Sequence, residues 1–189
     1  IRNKGGELTL SIKTDKEYLH DRIAGEEWPH LLIEQFFKKV KLCELDNLTV
    51  ELDFDFLDFK DHMGCRREEL HTFQVGWYFC IGNKNRKSEG FEDFLWFGLP
   101  FIDTPRLPMG KPYEAADLGK EDCTSKYIIN VDPHFYIKKN TEVGDNFSIK
   151  LDILPYIKIA YEKAKKAGYL KTSVFEDLEL VSTNFGIED

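Results

Sequence analysis

From Leu48 to Phe56 the chain alternates without a break. Leu48, Val50, Leu52, Phe54 and Phe56 fall on one side of an extended segment, and Thr49, Glu51, Asp53 and Asp55 fall on the other. A period of two sends one set to a core and the other to an open sheet face, so this segment predicts a strand. His71–Ile81 repeats the pattern, with Phe73, Val75, Trp77, Phe79 and Ile81 against Thr72, Gln74, Gly76, Tyr78 and Cys80. In Phe91–Ile102 the inward set is Leu95, Phe97, Leu99 and Phe101, opposite Glu92, Phe94, Trp96 and Gly98. Between these two segments, GNKNRKSEG carries the residues of a hairpin loop.

Shorter strands are predicted at Glu7–Lys13, Leu31–Phe37, Tyr127–Val131, His134–Lys138 and Asn146–Leu151, and a last one at Asp177–Ile187. About nine strands exceed what one open sheet can bury, so the pattern predicts two packed sheets. The expected fold is mainly β: a two-sheet antiparallel β-sandwich of jelly-roll type with one α-helix in the C-terminal region. Ile153, Ile157, Ala160, Tyr161 and Ala164 recur at helical spacing. Asp152 can cap that helix, Pro155 suits its first turn and Gly168 its end. Asp103–Lys126 is rich in Pro, Gly and charge and reads as a long loop. No repeat, low-complexity tract or linker interrupts the chain, which predicts one domain over residues 1–189.

Composition narrows the functional classes. Aromatic residues make up 14% of the chain, which favours half-buried pleated surfaces. A net charge of −8 argues against a nucleic-acid partner, because phosphate binding needs a basic stripe. The Lys163, Lys165 and Lys166 cluster belongs to the helix C-terminus, where the backbone dipole favours cations. No apolar run approaches the roughly 18 residues of a membrane span. Cys43, Cys65, Cys80 and Cys123 show no CxxC spacing and read as free thiols rather than a disulfide framework. Asp61, His62, Cys65 and His71 match no metal-site spacing, so neither a metal nor a cofactor is expected. Compartment and oligomeric state stay open.

If the three long strands are neighbours, their outward sets join into one surface. It would hold Glu51, Asp53 and Asp55, then Gln74 and Tyr78, then Trp96, with Gly76 and Gly98 leaving hollows. Sugars fit such a surface: their C–H faces stack on aromatic rings, and their hydroxyls need planar acceptors and donors. The bland alternative is a solvated sheet face. Glu51-Leu52-Asp53-Phe54-Asp55 also spaces carboxylates about 7 Å apart on one strand face. That leaves open a glycoside hydrolase or lyase working through Glu51 and Asp55. Trp28-Pro29-His30 reads first as a packing anchor ahead of a strand, with His30 and Glu34 within reach of a ligand at the sheet rim.

GEEWPHLLIEQ, the DFDF strand, QVGWYF, FLWFGLPFID and DLELVSTNFGIE together resemble uncharacterised bacterial jelly-roll domains. Those domains are similar to concanavalin-like and carbohydrate-binding modules attached to, or encoded near, glycan-degrading enzymes. The resemblance spans nearly the whole chain and implies a sandwich fold with an oligosaccharide or polysaccharide as partner. It carries no catalytic motif. The expected function is non-catalytic glycan binding by Asp53, Asp55, Gln74, Tyr78, Trp96 and Glu51. The alternatives are the paired-carboxylate enzyme and a protein-interaction sandwich.

Overall fold

The computed structural model describes residues 2–4, 7–18, 20–62, 72–104, 112–116, 126–137 and 142–189. Its main sheet has six strands in the order β3-β10-β5-β6-β8-β7. These are β3 (His30–Lys41), β5 (Phe73–Asn83), β6 (Phe94–Thr104), β7 (Tyr113–Ala116), β8 (Lys126–Asn130) and β10 (Leu178–Glu188). A two-stranded sheet of β4 (Thr49–Asp55) and β9 (Asn146–Asp152) forms the second layer together with helix α1 (Leu154–Ala167). A short hairpin, β1 (Arg2–Lys4) with β2 (Glu7–Thr9), lies at the start.

The core fills the space between these layers. From the main sheet come Val75, Phe79, Ile81, Leu95, Phe97, Leu99, Phe101, Ile129, Leu178 and Leu180, all buried. From the other side come Val50, Phe147 and Ile149, and from the helix Ile157, Ala160, Tyr161 and Ala164. Phe54 stacks on Phe147 with ring centres 4.6 Å apart and meets Phe101 edge-on at 5.2 Å. The apolar sides of β4 and β6 therefore face each other across the sandwich.

Several local expectations changed on folding. The sheet is not wholly antiparallel, because β6 and β8 run parallel. The intervening segment, read as loop, contains β7, which pairs with the far side of β8. The predicted strand at His134–Lys138 does not form over residues 134–137, where Pro133–Phe135 make a 3-10 turn; Lys138 lies outside the described residues. Pro133 brings no N–H for a ladder, and the Asp132 carboxylate takes the His134 N–H at 3.0 Å. Strand β3 is longer than predicted, and β2 ends at Thr9. Around the helix the reading was close. The N-cap position is Ile153, which makes no side-chain cap bond; Asp152, one residue earlier, accepts from Leu154 N at 3.1 Å through Oδ1, Pro155 lies in the first turn, and Gly168 closes the helix at φ 98°. Of the predicted free thiols, Cys43 is free and exposed and Cys80 is half-buried; Cys65 and Cys123 lie outside the described residues.

Candidate functional site

β5 and β6 are neighbours, with Tyr78 opposite Gly98 and Cys80 opposite Trp96. β4 is not beside them. It pairs with β9, setting Glu51 against Lys150, Asp53 against Ser148 and Asp55 against Asn146. This corrects the six-residue surface expected from the sequence. The alternation holds in β4, in β5 and in β6 as far as the bulge at Phe101, but β4 turns its apolar side onto the main sheet. Its carboxylates must then point away from that sheet, while Gln74, Tyr78 and Trp96 point out of the other side. Glu51, Asp53 and Asp55 lie on the opposite exterior of the sandwich from the aromatic pair.

The two exteriors differ in kind. On the β4–β9 side, Glu51, Asp53, Asp55, Ser148 and Lys150 are all exposed. Glu51 forms an ion pair with Lys150, and Asp55 accepts from Asn146 Nδ2 at 2.9 Å. Such a face is solvated and paired with its own neighbour strand. On the main-sheet side, Gln74, Tyr78, Cys80, Trp96, Asn130 and Asn184 are half-buried, and Asp103 is buried at 7% exposure. Polar groups held in partial enclosure are the less common arrangement, since charged and amide side chains usually stay in water.

Register places these groups in rows across the strands. One row runs Glu34, Asn184, Tyr78, Gly98, Asn130, Tyr113. Another runs His30, Glu188, Gln74, Asp103. The hollows expected at Gly76 and Gly98 are filled by Tyr78 itself. A methyl group at Gly76 would come 2.8 Å from Tyr78 Cε2, and one at Gly98 would come 2.6 Å from Tyr78 Cε1. The phenol ring thus lies across both glycines, held between them, and a side chain at either would lift it. Asn130 packs on Gly98 as well and donates from Nδ2 to the Tyr78 hydroxyl at 3.4 Å. The amide oxygens of Asn130 and Asn184, one on each side of Tyr78, are shielded from solvent and have no hydrogen-bond partner. Sequence reading missed Asn130, Asn184, Asp103 and Glu188. The odd-even rule could have placed Asn184 and Glu188 on an outward face; which sheet they joined it could not give.

Burial dominates the electrostatics here. It pushes the Tyr78 phenol up, helped by the negative charges of Glu188 and Asp103 and opposed by the Asn130 amide. Burial also raises the Glu188 carboxyl, with His30 acting against the rise. The folded protein therefore holds the Glu188 proton more tightly than the unfolded chain does. The stabilisation it contributes is complete below the ordinary value of 4.5 and is lost as pH climbs through the raised one. Urea midpoints measured across this range should fall with rising pH for the native chain and fall less for Glu188→Gln. Equal slopes would show that the carboxyl is not desolvated.

Among the described residues, no group of three or more His, Cys, Asp or Glu side chains is placed to hold a metal ion. Cys65 and His71 lie outside them. No described helix is long and apolar enough to cross a membrane.

Fold and surface together define a β-sandwich with one polar-aromatic, half-enclosed sheet face. No family model matches the chain, and no curated protein matches it. Among solved structures it is similar to endo-1,4-beta-glucanase CelB2, a cellulase in its native structure, with a TM-score of 0.40 and 13% identity. The match covers 78% of this chain and 57% of that one, so this chain spans just over half of the cellulase. A likeness of that size bears on neither activity nor substrate.

Proposed function

We propose that the outer face of the six-stranded sheet binds carbohydrate, with Gln74, Tyr78 and Trp96 at its centre. The observation that carries this reading is the half-burial of amide, carboxylate and aromatic side chains across adjoining strands. The opposite exterior of the sandwich is fully solvated. Gln74 and Asp103 offer a donor and acceptors, and Trp96 adds an apolar plate for a sugar ring. Glu51, Asp53 and Asp55, facing away, form no part of this surface.

A glycan array followed by calorimetry tests the proposal. Trp96→Ala should weaken the best oligosaccharide about tenfold, the size of a lost aromatic contact of roughly 0.5–1.5 kcal/mol. Glu51→Gln and Asp53→Asn should leave affinity unchanged. Loss of binding in the β4 variants, with Trp96→Ala unaffected, would move the site to the other exterior. Silence across the array would overturn the reading.

A further inference from the structure

The Trp28-Pro29-His30 motif is not the buried anchor its sequence suggests. Trp28 remains 38% exposed, while Arg22, only 8% exposed, sets its guanidinium 4.2 Å from the centre of the indole ring. The loop around them is tied down. Arg22 Nη1 donates to the Glu26 carbonyl at 3.3 Å, and the Glu26 carboxylate accepts from Ile23 N at 2.8 Å. The His30 ring is within hydrogen-bond distance of the Trp28 carbonyl, Nδ1 to O being 3.0 Å. An indole with one face on a cation and the rest open is a rigid platform whose side-chain entropy is already spent.

Position gives this platform a use. Trp28 and His30 line a common depression of about 530 Å³ with Arg22, Glu26 and Glu27. His30 also begins the row His30, Glu188, Gln74, Asp103 on the sheet face. That row crosses three strand intervals, roughly 14 Å at the usual spacing, and the depression lies at its β3 end, two residues further along that strand, where Asp189 N still donates to the Pro29 carbonyl at 2.9 Å. We infer that Trp28 is an end subsite for a linear, uncharged oligosaccharide running obliquely over β3, β10, β5 and β6, past Gln74 and Tyr78 towards Trp96. The inference rests on the sheet-face reading and adds to it the length and charge of the ligand. The ligand is uncharged because Glu188 and Asp103 stand along the row and Glu26 and Glu27 beside Trp28, so an acidic polymer would meet like charge. Lys126 is at the other end of the face, opposite Phe94, and is buried. The ligand is linear because Trp28 and Trp96 stand at opposite corners of the face, a span that suits the extended chain that equatorial linkages produce.

Titrating the full chain with the disaccharides and hexasaccharides of β-1,4-linked glucose, mannose and xylose, and with polygalacturonate, tests this. At least one hexasaccharide should bind tenfold or more tightly than its disaccharide, and polygalacturonate should not compete. Trp28→Ala should remove the advantage of length and leave disaccharide affinity alone, Trp28→Phe should restore much of it, and Gln74→Ala should weaken both lengths. If Trp28→Ala keeps the length ratio while Gln74→Ala weakens both, the end subsite is refuted and the sheet-face site stands. Tighter binding of polygalacturonate than of any neutral chain would overturn the uncharged ligand. No binding by the native chain would overturn both readings.

Discussion

Phe101→Ala is expected to lower unfolding free energy by about 3–5 kcal/mol, as truncation of a fully buried phenylalanine does. Phe101 has no exposed surface and touches three elements by its ring: Phe54 of β4 at 5.2 Å, Tyr136 at 5.8 Å and Phe185 of β10 at 6.3 Å. Its place depends on an irregularity in register. Val75 pairs with Ile102 but Gly76 pairs with Pro100, which leaves Phe101 as the extra residue of a bulge. The hydroxyl of Tyr136 covers the freed Pro100 carbonyl at 2.6 Å. Removing the ring opens a cavity between the layers that backbone on both sides holds apart. Denaturant titration should show a lower midpoint at unchanged slope. A loss under about 1 kcal/mol, far below the usual cost of such truncations, would mean that the layers close over the gap.

Gly186→Ala should cost about 1–3 kcal/mol or more, the range for overpacking, through an obstruction that no side-chain rotation relieves. On β10, Gly186 lies between Gly76 of β5 and Leu32 of β3. An added methyl would overlap the Leu31 carbonyl oxygen and stand 2.9 Å from Leu32 Cα. Backbone of the adjacent strand is the obstacle, so β3 must separate from β10. Hydrogen exchange should then quicken in β3 before β5. Because β3 carries His30, the proposed oligosaccharide binding should weaken alongside. Full protection of β3 at an unaltered midpoint would refute the close approach.

Much of the fold was readable from the chain. Alternation in β4, β5 and β6 told which side chains share a side, because successive residues of an extended backbone must point in opposite directions. The helix was legible from its apolar spacing and from Asp152, Pro155 and Gly168. Pro133 marked the failure of the strand predicted beside it, since a proline starts turns as readily as it edges sheets. The parallel β6–β8 pair was not legible. Nothing in a strand's own pattern states the direction of its neighbour.

The polar-aromatic sheet face was readable only in part. Gln74, Tyr78 and Trp96 were found together because β5 and β6 are consecutive and joined by a hairpin, so short separation made them neighbours. Asn130, Asn184 and Glu188 were missed because their rows are assembled from strands far apart in sequence, and Asp103 because its strand was ended at Ile102 and the bulge at Phe101 changes the side it faces. Glu51, Asp53 and Asp55 were included for the opposite reason: nearness in sequence suggested a nearness in space that β4 does not have.

By itself the sequence determined side-chain parity, the helix and the mainly β character, all of which follow from steric rules acting within a few residues. Tertiary structure decided which strands share a sheet, and so which polar sets meet. Two layers packed on one core send their outward residues in opposite directions. The carboxylates of β4 and the aromatics of β5 and β6 are therefore separated by the full thickness of the sandwich.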